Sequence, residues 1–189
     1  IWSLKALEMC IKYLPRVYNN PNDFEASDNL ILAATYAGIG FGNAGVHLCH
    51  AMSYPISGNN KTYRHPGYDQ DKKLVPHGIS VAITAPAVFK KTAITNYDKH
   101  FNALKCFDGN LNHSITKHES GDILYDKLLD LWYKLDIPNG ISAFGYKKSD
   151  ISDLIIGTLP QKRVTQISPI QPINNELIND LINDSYTLY

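Results

Sequence analysis

Apolar residues recur in this chain at steps of three and four. Ile1, Leu4, Leu7, Ile11 and Leu14 follow this pattern at the start. Leu177, Ile178, Leu181 and Ile182 follow it at the end. Such a stripe is one face of an α-helix. Further helical patterns lie near 97–107, 118–135 and 149–157, with no run of alternating strands and no internal repeat. The class is therefore mostly α, and residues 1–189 read as one domain, a length that buries roughly 70% of the unfolded surface. The first helix is expected to end near Leu14-Pro15, because the residue before a proline disfavours the α region. It has no room for an N-cap, so the chain is expected to begin inside a helix, as the later part of a longer protein. Any targeting segment would then lie upstream.

From Phe24 to about Tyr54 the chain is apolar, small and almost uncharged after Asp28, with Asn22 or Asp23 as a cap. Leu30, Ala33, Ala34, Ala37 and Phe41 keep a helical period. This segment is expected to be the central buried element. Gly38, Gly40, Gly42 and Gly45 interrupt it. Each costs roughly 1 kcal/mol against alanine in a helix interior. Either close helix packing or approach of a ligand explains them. Residues 58 to 76 are polar and form a loop longer than most. Pro76-His77-Gly78 then opens another apolar segment.

Charge narrows the function. Eighteen Lys and Arg balance eighteen Asp and Glu, so no basic excess marks a nucleic-acid binder. No apolar run approaches ~18 residues, so no membrane span is expected. Cys10, Cys49 and Cys106 are odd in number and lack a C-x-x-C spacing, which fits small buried hydrophobes better than a disulfide framework.

Histidines carry the candidate chemistry. His47 and His50 sit three apart, on nearly one helical face. His77 follows 27 residues after His50, at the mouth of the next helix. Neutral imidazoles from different elements can converge on a metal. A satisfied core histidine is the competing reading for each. His47 is expected to support the site from behind its ligands or to pack, and His65 to face solvent. His100, His113 and His118 sit in ordinary settings and are assigned nothing.

The run from Ala37 to Pro55, AGIGFGNAGVHLCHAMSYP, resembles the helix signature of the iron-containing alcohol dehydrogenases. Leu74 to Val81, LVPHGISV, resembles that family's second histidine motif, and Gly157 to Thr165, GTLPQKRVT, its late signature. Leu188-Tyr189 is similar to its C-terminus. The likeness implies the family's all-helical C-terminal domain, of the dehydroquinate synthase-like fold, without its N-terminal α/β nucleotide-binding domain. It implies that His50 and His77 are two of the ligands of a divalent metal, iron or alternatively zinc. The remaining Asp and His of an Asp-x-x-x-His helix would precede Ile1. It puts Phe41 on an aromatic wall of the substrate pocket. Tyr54 stands where most of the family carries a second histidine near the nicotinamide. The phenol is therefore a candidate hydrogen-bond donor in catalysis, with plain packing as the alternative.

The Ser53-Tyr54-Pro55 version resembles a branch that passes hydride from a hydroxy acid to an oxo acid. That likeness implies 4-hydroxybutyrate as donor and 2-oxoglutarate as acceptor, giving succinate semialdehyde and 2-hydroxyglutarate. It also implies a nicotinamide carrier held mainly by the missing domain, and a mitochondrial home. A metal would act as Lewis acid on the developing alkoxide. Both substrates carry carboxylates that need cationic partners. Lys61, Arg64, Lys72, Lys73 and Arg163 are the candidates, and arginine is the better fork. An ordinary NAD-dependent alcohol dehydrogenase and a non-catalytic helical domain stay open as alternatives, as does a homodimer.

Overall fold

The structure is a computed structural model, described over residues 1–111 and 114–189. Ten α-helices account for most of the described residues: α1 Trp2–Asn19, α2 Phe24–Ala44, α3 Leu48–Gly58, α4 His77–Ala82, α5 Ala85–Thr92, α6 Tyr97–Phe107, α7 Lys117–Lys134, α8 Ile151–Thr158, α9 Lys162–Thr165 and α10 Asn175–Asp184. No strand occurs among the described residues, and the one isolated bridge joins Arg64 to Leu74. No described helix is long and apolar enough to cross a membrane. His113 lies outside the described residues.

The main core surrounds α3. Leu48, Met52 and Ile56 have no exposed surface, and Val88, Leu154 and Ile182 close over them from α5, α8 and α10. Each such side chain contributes about 1.5–3 kcal/mol by leaving water. Gly157 makes the α3–α8 contact close, since a Cβ there would lie 2.6 Å from Pro55 Cβ. Polar side chains finish the helix ends. Tyr146 Oη donates to the Ile56 carbonyl at 2.8 Å, and Trp132 Nε1 donates to the Ala82 carbonyl at 3.1 Å.

Two sequence expectations need correction. Helix α1 does not stop at Leu14; it runs through Pro15 to Asn19. Tertiary contacts outweigh the proline penalty here. Arg16 grips Asp23 with two hydrogen bonds, at 2.8 and 2.9 Å, and reaches Glu25 at 2.7 Å. Met9 and Tyr13 also pack on Ala26 and Ala33 of α2. Asp23 caps α2 as well, accepting from the Ala26 N–H at 3.0 Å, and Arg16 above all holds its carboxyl below the usual range. Secondly, residues 24–54 are not one buried element. The chain breaks at 45–47, and only α3 is central. Helix α2 buries just Ala26, Ala33 and Gly40, while Ile31 is 69% and Phe41 55% exposed. One of its glycines meets a close neighbour: a Cβ on Gly40 would strike Ser3 of α1, whereas Gly38 and Gly42 face open space.

The buried histidine His100 gives a test of this packing. It bridges α5 and α6, with Nδ1 2.8 Å from the Asn96 carbonyl and Nε2 2.8 Å from Thr92 Oγ1. Burial lowers its pKa from the ordinary value near 6.5, against the opposing pull of Asn96. Nearby His47 is lowered too, by burial first and by His100 next. The unfolded chain therefore takes up these protons before the folded one. Stability is fully present above about pH 6.5 and falls as pH drops below it. Thermal unfolding followed by circular dichroism is expected to show a lower midpoint at pH 5 than at pH 7. The fall should be shallower in His100→Gln.

Candidate metal and substrate site

Gly45 starts the site. Its φ of +76° is open to glycine and turns the chain out of α2 into α3. A Cβ there would also lie 2.6 Å from Ile167 Cδ1. Helix α3 then buries almost every side, but His50 and Tyr54, four residues apart, remain on a half-exposed face. Across from them, buried Val75 and Ser80 anchor the segment that presents His77. Ser80 Oγ donates back to the His77 carbonyl at 2.8 Å.

The His50 and His77 rings approach to 5.2 Å between centroids. Tyr54 stacks on His77 at 6.2 Å with planes 16° apart. Ser53 Oγ donates to the His50 carbonyl at 2.8 Å, so towards His77 its oxygen is left to accept. His77 Nδ1 lies 3.5 Å away, which favours the tautomer with the proton on Nδ1 and the lone pair on Nε2. Burial chiefly, then the positive potential of His77 and Arg163, lowers the His50 pKa and favours the neutral ring. Neutral imidazoles are the ligand form for divalent iron or zinc, so these two fit part of a metal site. Among the described residues no group of three or more His, Cys, Asp or Glu could hold an ion.

Both rings line a cavity of about 570 Å³. Phe41, Val46, Val164 and Ile167 form its apolar walls, and Tyr54 and Arg163 complete its polar side. Arg163 Nη2 donates to Tyr54 Oη at 2.9 Å across 109 residues of sequence.

Other sequence candidates lie elsewhere. Arg64 is turned into its own loop, donating from Nε to the Gln70 carbonyl at 2.6 Å. The loop's backbone acceptors claim it, and it does not line the cavity with the histidines. Lys72 pairs with Asp69, and Lys61 stands at a separate polar cleft with Asp153. Lys73 is exposed and does not line the cavity either. His65 is not solvent-facing as expected but half-buried, its Nδ1 2.9 Å from Tyr63 Oη. His47 packs edge-on to Phe89, its Nδ1 buried without a partner, beside an apolar groove of about 420 Å³ with Trp132. Cys49 is a buried thiol, pushed up to about 12 by burial, while Cys10 and Cys106 are half-buried.

A family profile described as the Fe-containing alcohol dehydrogenase family, C-terminal, matches residues 1–186. The chain belongs to the iron-containing alcohol dehydrogenase family. Among curated members of that family, it is 45% identical over 189 residues to the mitochondrial hydroxyacid-oxoacid transhydrogenase of Bos taurus, covering all of this chain and 40% of that one. It is 46% identical over 190 residues to a probable mitochondrial hydroxyacid-oxoacid transhydrogenase of Dictyostelium discoideum, covering 34% of it. The chain thus spans about 40% or less of these relatives. Its fold matches a solved 1,3-propanediol oxidoreductase with a TM-score of 0.82 at 18% identity, over 97% of this chain and 44% of that one. An alcohol dehydrogenase from Oenococcus oeni matches equally, also at 18% identity. The all-helical C-terminal domain of the iron-containing alcohol dehydrogenases is therefore the fold of this chain.

Proposed function

We propose that this chain is the helical, metal-holding part of a longer mitochondrial enzyme. That enzyme moves hydride from a hydroxy acid to an oxo acid, with 4-hydroxybutyrate as donor and 2-oxoglutarate as acceptor. The observation that carries the proposal is the approach of His50 and His77 to 5.2 Å in one cavity with Arg163. The 45% identity to a protein named hydroxyacid-oxoacid transhydrogenase, mitochondrial, supports the reaction class and the compartment.

His50 and His77 are the residues of this chain that hold the metal, iron by family, with further ligands and the nicotinamide coming from the rest of the enzyme. When bound, the metal supplies Lewis acidity that lowers the pKa of a substrate hydroxyl. Ser53 keeps the His77 Nε2 lone pair available. Phe41, Val46 and Ile167 give the cavity its apolar wall. Tyr54 accepts from Arg163 and keeps its own O–H as a donor towards the cavity.

The complete protein is expected to convert 4-hydroxybutyrate and 2-oxoglutarate to succinate semialdehyde and 2-hydroxyglutarate without added NAD. Product formation would be followed by mass spectrometry. A strict need for added NAD, with no use of the oxo acid, would instead mark an ordinary alcohol dehydrogenase.

A further inference from the structure

We propose that Arg163, held by Tyr54, is the subsite that binds a substrate carboxylate and makes the cavity selective for acids over neutral alcohols. The inference rests on the hydroxy-acid reading and deepens it. Three observations carry it. Among the described residues, Arg163 is the one arginine or lysine that lines the cavity, and no aspartate or glutamate lines it. Its other N–H donors have no carboxylate partner among those residues, unlike Arg16, which is paired with both Asp23 and Glu25. Its backbone is fixed: Val164 and Thr165, which follow it in the same short helix, are buried, and the Gln171 amide donates to the Thr165 carbonyl at 3.0 Å.

Chemistry completes the argument. A planar guanidinium matches a carboxylate with two parallel hydrogen bonds. A free arginine side chain loses much rotamer freedom on binding, and a hydrogen bond made beforehand removes part of that loss. The 2.9 Å contact to Tyr54 Oη does this, fixing one edge of the fork while the remaining N–H groups stay open to the cavity. Tyr54 itself is fixed on rigid α3 and stacked on His77, so the carboxylate fork and the metal ligand share one support. Arg64, the other arginine candidate, has already spent its Nε donor on Gln70. Tyr54 is thus a positioning residue for the anion subsite.

The test is equilibrium binding to the complete protein by calorimetry. Glutarate serves as an unreactive dicarboxylate and 1,5-pentanediol as its neutral counterpart. Arg163→Ala is expected to weaken glutarate binding about 10- to 100-fold, the size of a charge-assisted pair, with pentanediol affinity held. Arg163→Lys should weaken it less, and Tyr54→Phe by about 3- to 10-fold, because that variant removes only the bond that orients the guanidinium and leaves its charge in place. In turnover, Tyr54→Phe should raise KM for the acid more than it lowers kcat. No glutarate binding by the parent protein overturns the inference, and so does an Arg163→Ala affinity within twofold of it. If Arg163→Ala loses pentanediol binding as well, Arg163→Gln, which keeps bulk and polarity without the charge, decides: a glutarate affinity within twofold of the parent overturns the inference. Arg163-dependent glutarate binding without any acid-to-acid hydride transfer removes the transhydrogenase reading but leaves the subsite. Hydride transfer with Arg163-independent binding does the reverse.

Discussion

Replacing His77 with alanine in the complete protein is expected to remove bound metal and turnover together. The fold should survive. His77 keeps part of its surface in solvent, and the segment around it is anchored by Val75 at 1% exposure and Ser80 at none. Substitutions away from the packed core usually stay within about 0.5 kcal/mol. Loss of a ligand is another matter. Disturbing only an outer partner of a metal-bound histidine typically costs ~10–100-fold, so deleting the imidazole should cost more than that in metal affinity and in kcat. Metal content by mass spectrometry, turnover and the thermal midpoint would be read on one preparation. Full activity with metal retained would show that His77 is not a ligand, and His47 would become the imidazole to test beside His50.

A comparable loss is expected when residues 1–189 are produced alone: weak metal affinity and no hydride transfer. Two neutral imidazoles make a poor site, and no third ligand joins them among the described residues. No strand occurs among those residues to build a nucleotide-binding sheet. Positioning of the hydride carrier against the substrate can account for ~7–11 kcal/mol of a barrier, and nothing in the described helices supplies it. Metal titration and an assay with 4-hydroxybutyrate and 2-oxoglutarate test this. Hydride transfer by the isolated chain would place the entire active site within these helices and contradict a division of labour between two parts of one enzyme.

Much of this was legible in the sequence because helices announce themselves by period. The stripes at 97–107 and 118–135 became α6 and α7 almost residue for residue. What failed was decided by distant partners. Pro15 reads as a stop, yet a carboxylate pair at the start of the next helix holds Arg16 and the turn beyond it. The stretch from Phe24 to Tyr54 reads as one buried element, yet the positive φ at Gly45 splits it. That split leaves α2 on the surface and α3 in the core. In the site, the histidine motifs were readable as local words. Of the arginines, Arg64 lies in the expected loop but is consumed by it, while Arg163 meets Tyr54 from 109 residues away. No local pattern distinguishes the two. The clue available in sequence was the period of α3 itself, which puts Tyr54 four residues after His50 and therefore on the same face.

The proposed enzyme depends on His50 and His77 holding one metal ion at this cavity. Anomalous X-ray diffraction at the iron edge on crystals of the metal-loaded complete protein tests this arrangement. A single peak is expected, with ring nitrogens of both His50 and His77 about 2 Å away, the ordinary metal–imidazole distance. A peak that touches neither imidazole, or only one of them, would contradict it.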